Sequence, residues 1–247
     1  MRLAIIADIH EDIINLKKAF EKIQRLKCDD IICLGDISGF SVLHHDFFDS
    51  RNASECLKMV RENCTVIIAG NHDLHAARHT PKISSYEYPS NWYELDFQDR
   101  LIKSMDQVWL YEHEELSALY SHEEKTFISN LPEYKVKTYE DLSVLFSHFI
   151  FPNLTGSEQR FYFELPDFDA HKRFMTEQGG LYSFSGHRHY PGLMVISDSK
   201  VIRKNFNRKY KLKAGDVIMV PPIVRAMGNG GLCVYDINEN TVEAIRI

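Results

Sequence analysis

The chain has 247 residues, 44% hydrophobic and 26% charged, a balance that excludes disordered tails and fibrous repeats and suffices for one large core. With 29 Lys+Arg against 35 Asp+Glu the formal charge is −6 and no basic block occurs, which argues against tracking a long nucleic acid by counter-ion release. Cys28, Cys33, Cys56, Cys64 and Cys233 are odd in number and lack CxxC spacing, so the sequence predicts a reducing cytoplasm rather than a disulfide framework or a thiolate zinc site. The first apolar run is too short for a signal peptide, and no stretch approaches the ~20 apolar residues of a membrane span.

Arg2 to Ala7 is a short apolar run ended by Asp8, and Asp12 to Leu26 carries Ile13, Leu16, Phe20 and Ile23 at helical spacing, predicting a strand and then an amphipathic helix. Ile31 to Leu34 reads as a second strand, Ala53 to Asn63 as a second helix and Thr65 to Ala69 as a third strand. This order implies right-handed crossovers and parallel pairing, with ligand sites beyond the carboxyl ends of the strands. The stretch from 74 to 130 is less regular, holding Trp92, Trp109 and a predicted helix from His122 to Leu131 with Ser121 as its N-cap. A strand at Leu142 to Phe146, a helix at Phe168 to Glu177 and a strand at Leu181 to Ser185 follow. From Gly192 on, short runs beginning at Leu193, Val201, Val217, Leu232 and Thr241 read as an antiparallel meander. No linker interrupts the chain, so residues 1–247 are expected to form one domain with an aromatic-rich insertion at about 80–120.

Five of these strands end in residues able to bind a metal: Asp8-Ile9-His10, Gly35-Asp36, Gly70-Asn71-His72-Asp73, Ser147-His148 and Gly186-His187-Arg188-His189. Any one alone is ordinary turn chemistry. Together, each after an apolar strand, they predict a metal site, because parallel strands gather their carboxyl-terminal loops at one edge. Gly35, Gly70 and Gly186 each precede such a residue, where a small residue lets the backbone turn and approach an ion.

This ordered set resembles the signature of the calcineurin-like metallophosphoesterase superfamily, Asp-x-His, Gly-Asp, Gly-Asn-His-Asp/Glu, a lone His and Gly-His-x-His, over nearly the whole chain. The resemblance implies an α/β fold, a four-layer α/β/β/α sandwich of two mixed sheets flanked by helices, with a two-metal centre. It assigns Asp8, His10, Asp36 and His189 to one ion and Asp36, Asn71, His148 and His187 to the other, Asp36 bridging. It also implies that His72 contacts the scissile phosphate and helps the leaving group, and that Asp73 orients His72. Two adjacent divalent ions can share a hydroxide and stabilise both the attacking and the leaving oxygen of an in-line displacement. Two ions (+4), Asp8 and Asp36 (−2) and one hydroxide (−1) leave about +1, suited to a phosphate ester anion. Nitrogen and oxygen ligands without thiolate fit Mn²⁺, Fe, Co²⁺, Ni²⁺ or Zn²⁺ better than Cu(I) or an iron–sulfur cluster without choosing among them, and Mn²⁺ is taken as the first expectation.

The superfamily hosts several activities, so departures from its patterns bear on substrate. Gly35-Asp36-Ile37-Ser38-Gly39-Phe40 lacks the arginine that follows in the protein phosphatases and looks more like the small prokaryotic phosphodiesterase branch. Ser41-Val42 replaces the Gly-Pro usual in that branch, and Val220-Pro221-Pro222-Ile223 lies near where its late Asn-Pro-Gly-Ser would stand. The expectation is a phosphodiesterase acting on a small or nucleotide substrate. A phosphomonoesterase or phosphoprotein phosphatase is the alternative, and a non-catalytic metal-binding scaffold is the rival from another class. Tyr86, Tyr88, Trp92, Tyr93, Phe97, Trp109, Tyr111 and Tyr120 could cap the metal cleft and stack on a base, or simply pack the insertion onto the domain or into a dimer interface. His44, His45, His75, His79, Arg78 and Arg188 lie near the ligand loops and are expected to be surface or supporting residues before substrate contacts.

Overall fold

Two β-α units open the chain: β1 (Arg2–Ile6), α1 (Ile13–Leu26), β2 (Asp30–Cys33), the two-residue β3 (Phe40–Ser41), α2 (Ala53–Asn63) and β4 (Val66–Ile67). A computed structural model describes residues 1–160, 165–198, 200–225 and 230–247. Asp12 caps α1 by accepting from the Asn15 N–H at 3.1 Å, and the helix turns Ile13, Leu16, Ala19 and Ile23 inward. β1, β2 and β4 pair in parallel, as their crossover helices require.

The middle of the chain forms α3 (Asn71–Ala77), α4 (Phe97–Ser104), β5 (Glu115–Leu116), α5 (His122–Ser129), β6 (Tyr134–Tyr139) and β7 (Leu142–Ser147). Then follow α6 (Asp169–Glu177), β8 (Tyr182–Ser185), β9 (Leu193–Ser197), β10 (Lys200–Lys204), β11 (Tyr210–Lys211), β12 (Val217–Met219), β13 (Gly231–Asp236) and β14 (Thr241–Arg246). Two six-stranded mixed sheets result, in the orders β11-β14-β13-β1-β2-β4 and β10-β9-β12-β8-β7-β6. Leu3, Ile5 and Ile32 of the first sheet share one buried cluster with Phe146, Phe184 and Val195 of the second. α1 and α2 cover the outer face of the first sheet, and α6 packs through Phe174 and Met175 against Leu145 of the second. In both sheets parallel strands carry the candidate ligands: β1, β2 and β4 in one, β7 and β8 in the other.

The predicted antiparallel meander after Gly192 is corrected. β9, β10 and β12 join the second sheet, β12 running parallel to β8, whereas β11, β13 and β14 cross to the first. Alternation marks a segment as extended but not its partner, and the crossing occurs where the Ile223 and Val224 N–H groups bond to the carbonyls of Ala7 and Asp8 at 2.8 and 3.0 Å. β6 was not predicted although Tyr134, Val136 and Thr138 alternate with Lys135 and Lys137, the charged pattern of an edge strand. α3, α4, β3, β5 and β11 also went unread; three of the five are strands of two residues, too short for any period. No helix among the described residues is long and apolar enough to cross a membrane.

A buried carboxylate ties the two sheets together. Asp30 of β2 accepts from Lys137 Nζ (2.6 Å) and Tyr139 OH (2.8 Å) of β6, and from Thr65 Oγ1 (2.5 Å). Burial opposes its ionisation, but these donors prevail and its carboxyl titrates below the usual range.

Behind the second sheet, His171 of α6 is fully buried; its Nδ1 accepts from the Phe151 N–H (2.9 Å), so Nε2–H donates to Ser183 Oγ (2.8 Å). Burial pushes its pKa down to about 3, and a second ring proton would face the Phe151 N–H. Between about pH 6.5 and pH 3 the unfolded chain therefore binds this proton and the folded chain does not, so its contribution to stability falls on acidification. Urea unfolding of His171→Asn should give a destabilisation about 2 kcal/mol smaller at pH 5 than at pH 7, and an equal cost at both would remove His171 from the acid response.

Candidate metal centre

The loops leaving β1, β2, β4, β7 and β8 converge at one edge of the paired sheets. Asp8, His10 and His189 bring ligand atoms within 4.8 Å of one another, as do His10, Asp36 and His72, and Asp36, His148 and His187. His10 Nε2 lies 3.0 Å from His189 Nε2, and His189 Nε2 lies 3.6 Å from Asp8 Oδ1. On the other side His148 Nε2 lies 3.0 Å from Asp36 Oδ2, and His187 Nδ1 lies 3.1 Å from Asn71 Oδ1. Asp36 Oδ2 stands between the halves, also 3.9 Å from His10 Nε2.

Backbone strain holds these side chains together. Asp8 (φ 55°), His10 (47°), Asp36 (53°), His187 (66°) and His189 (47°) all occupy the left-handed region. Each such residue costs on the order of 1–3 kcal/mol and persists only where the surroundings over-determine it. Those surroundings are visible: the Ile9 and His10 N–H groups bond to the Asp36 carbonyl at 2.7 and 2.9 Å, the His187 N–H to Asp8 Oδ1 at 3.0 Å, and the His72 N–H to Asp36 Oδ1 at 3.0 Å. Gly70 is required by close approach, since a Cβ there would come within 2.6 Å of the Asp36 nitrogen.

The donor set fits divalent ions. Asp8 and Asp36 are buried, and among the described residues no Lys or Arg pairs with either, an arrangement that buried carboxylates adopt when they bind metal. His10 Nδ1 donates to the Gly39 carbonyl and His148 Nδ1 to the Leu34 carbonyl, both at 2.8 Å, which leaves each Nε2 to face the carboxylates. His148 Nε2 makes no aligned hydrogen bond despite its 3.0 Å approach to Asp36. Burial, reinforced by neighbouring histidines, drives the pKa values of His10 and His187 well down, so both rings are neutral, the form that binds metal. Burial also opposes charge on His148, but Asp36 and Asp8 outweigh it and raise that pKa to about 9. Asp36 is held below the ordinary carboxylate range, burial being outweighed by His148 and His72.

His72 lies in the first turn of α3. Its Nε2 lies 3.9 Å from Asp36 Oδ2, and burial of the ring is outweighed by the Glu115 and Asp36 carboxylates, which raise its pKa to about 10. Asp73, expected to orient it, is engaged elsewhere: its carboxylate accepts from the Ile37 and Ser38 N–H groups, Ser38 Oγ and the Gly70 N–H at 2.9–3.1 Å. Burial and nearby Asp36 raise its pKa to about 6 against those donors. The carboxylate on the His72 ring is Glu115, which contacts Nδ1. Tyr111 OH accepts from Asn71 Nδ2 at 2.7 Å, which turns the amide oxygen toward His187. Tyr111 is one of the eight aromatics noted in the sequence, whereas Glu115 carries no motif by which sequence reading could single it out.

A cleft of about 420 Å³ opens beside the centre, lined by His10, Gly39, Ser41, Leu43, His44, His45, His72 and His189. His44 and His45 thus wall the cleft rather than lie aside from it. Burial, with His189 and His72 nearby, lowers the His45 pKa to about 3, and its Nδ1 accepts from the Ser41 N–H at 3.1 Å. None of the eight insertion aromatics lines this cleft. Trp92 is buried against Tyr86 and Tyr88, while Tyr111 packs against His72 with ring centroids 4.8 Å apart and the rings tilted by 49°.

The sequence profile described as calcineurin-like phosphoesterase matches residues 1–191. MJ0912 of Methanocaldococcus jannaschii is 22% identical over 251 residues, spanning 99% of this chain and 86% of that protein. A metallophosphoesterase from Sphaerobacter thermophilus superposes with a TM-score of 0.63 at 18% identity, covering 100% of this chain and 88% of the other. PH1004 from Pyrococcus horikoshii superposes with 0.61 at 18%, covering 100% and 87%. At these identities the two structures demonstrate a shared fold.

Metal analysis after dialysis against Mn²⁺ is expected to find about two ions per chain in the wild type and less than one in Asp36→Asn, whose carboxylate faces both halves. Equal metal content in the two proteins would remove Asp36 from the centre.

Proposed function

The chain belongs to the calcineurin-like phosphoesterase family, and from that premise we propose that it is a two-metal phosphodiesterase acting on a small or nucleotide phosphodiester, built on a four-layer α/β/β/α frame. The observation that carries this reading is the geometry: a metal-fitting donor set gathered beside the cleft, with His72 Nε2 3.9 Å from Asp36 Oδ2. Asp8, His10, Asp36 and His189 would hold one ion and Asp36, Asn71, His148 and His187 the other. Bound divalent ions, Mn²⁺ first among the candidates, supply Lewis acidity toward a phosphoryl oxygen and lower the pKa of the attacking water. The chain's own residues do the rest. His72 donates its Nε2 proton to the leaving oxygen as the P–O bond breaks, and Asp73 braces the loop after β2 against the start of α3. Its five cysteines are all free, in keeping with a cytoplasmic setting.

The preference for a diester rests on charge. Among the described residues no Lys or Arg lines the cleft, and no arginine follows Asp36 in the loop, so little is present there to neutralise the second charge of a monoester dianion or to fork a phosphoprotein phosphate. A cleft of about 420 Å³ with Leu43 and two imidazole faces as walls suits an aryl or base substituent.

Purified protein reloaded with Mn²⁺ should cleave bis-p-nitrophenyl phosphate faster than p-nitrophenyl phosphate, with Asp36→Asn inactive on both. Preference for the monoester would move the assignment to a phosphatase. Turnover of neither ester with Mn²⁺, Fe²⁺, Ni²⁺, Co²⁺ or Zn²⁺ would favour a scaffold that binds metal without catalysis. In the same assay His72→Ala should retain both ions and lose about 10²-fold or more in kcat, and undiminished turnover would take His72 out of the mechanism.

A further inference from the structure

The insertion brings a carboxylate to His72 that the motif residues do not provide. Glu115 contacts His72 Nδ1, and its own side chain is only 7% exposed. Its position is set by main-chain geometry. β5 pairs antiparallel with β3, placing Glu115 opposite Ser41 and Leu116 opposite Phe40, and the Val42 N–H extends the ladder to the Glu114 carbonyl at 2.8 Å. Arg51 clamps the far side, donating to the carbonyls of Leu116 (3.4 Å) and Ser117 (3.3 Å) and to Glu11 Oε2 (3.1 Å) in the loop that carries His10. The Glu115 N–H also bonds to the Tyr111 carbonyl at 2.9 Å, so the residue on Asn71 and the residue on His72 share one turn.

Gly39 explains why the carboxylate comes from this side. It has φ +100°, and a Cβ there would lie 2.6 Å from His72 Cβ, Cγ and Nδ1. The imidazole is packed on bare backbone, and any side chain at position 39 would collide with the ring. Asp73, next in sequence, is occupied by the loop after β2.

We propose that Glu115 is the positioning residue of His72: its carboxylate accepts the Nδ1–H, fixing the ring so that Nε2–H points to the leaving oxygen. The role rests on the phosphoesterase reading above. As the P–O bond breaks, the proton moves from Nε2 to the leaving oxygen, while Nδ1 keeps its proton and Glu115 gains none. The ring then regains a proton at Nε2 from water. A leaving group that departs easily as an anion needs this proton less, so loss of Glu115 should be felt most with a poor leaving group.

The test compares kcat and KM of Mn²⁺-loaded protein on diphenyl phosphate and bis-p-nitrophenyl phosphate. Glu115→Ala is expected to lower kcat on diphenyl phosphate about tenfold or more, to cost less on the nitrophenyl ester, and to leave KM and metal content nearly unchanged. Glu115→Gln, which preserves side-chain volume and an acceptor oxygen, should recover part of the loss. In a His72→Ala background the Glu115 substitution should cost nothing further, because it acts through the missing ring. Equal losses in both backgrounds, or an unchanged kcat, would overturn the proposal while leaving the phosphoesterase reading intact. A separate readout is the proton spectrum of the Zn²⁺-loaded protein, where a downfield Nδ1–H signal should vanish in both His72→Gln and Glu115→Ala. Its absence from the wild type overturns the pairing itself. Absence of ester turnover in the wild type, with the signal present, overturns the phosphoesterase reading and the catalytic part of this proposal together.

Discussion

Two buried carboxylates with no Lys or Arg partner among the described residues set the terms for everything around them. Asp8 and Asp36 sit at the ends of adjacent parallel strands, and each accepts from a backbone N–H of another loop, Asp8 through both oxygens from His187 and Asp36 through Oδ1 from His72. Leaving such charges in a low-dielectric interior is costly unless histidines with protons or divalent ions balance them. The fold answers with imidazoles from four loops, two of them held in one tautomer by the carbonyls of Gly39 and Leu34. The left-handed backbone at Asp8, His10, Asp36, His187 and His189 follows from the same demand, because short loops must turn sharply to aim side chains at a common point.

Parallel sheets make that convergence possible. β1, β2 and β4 present their carboxyl ends side by side, β7 and β8 do so in the second sheet, and a shared apolar cluster from Leu3 to Phe184 holds the two sheets in register. Asp30, bonded across to Lys137 and Tyr139, adds a polar tie at the opposite strand ends. The insertion then does two different things. Trp92, Tyr86 and Tyr88 pack on one another, whereas Tyr111 and Glu115 reach back to Asn71 and His72. Its aromatic richness is therefore mainly a matter of packing, and its link to the chemistry runs through one hydroxyl and one carboxylate.

Much of the framework was legible in the residue order. Ala53–Asn63 is helical over the predicted range, Ser121 caps α5 through a reciprocal bond with Glu124, and the strand before each ligand loop occurs where an apolar run preceded Asp, Asn or His. The meander misread illustrates the limit. Leu232 and Val201 both sit in alternating runs, yet one strand pairs beside β1 and the other lies in the second sheet, because alternation encodes burial on one face and not the identity of the neighbour. The ribbon of β3 and β5 was beyond reach for another reason, since strands of two residues carry no period at all.

The sequence by itself determined which residue types could meet at the strand ends, because a motif of Asp, Asn and His after apolar strands places them on loops that a parallel sheet must bring to one edge. It also shows cysteines without CxxC spacing and a loop from Gly35 to Phe40 without arginine. Only the tertiary structure decided which carboxylate touches His72, which carbonyls accept from the Nδ1–H of His10 and His148, and that His44 and His45 wall the cleft. Those contacts join residues from 29 to 114 positions apart through single hydrogen bonds or ring faces, and such pairings leave no local pattern in a chain until the sheets are packed.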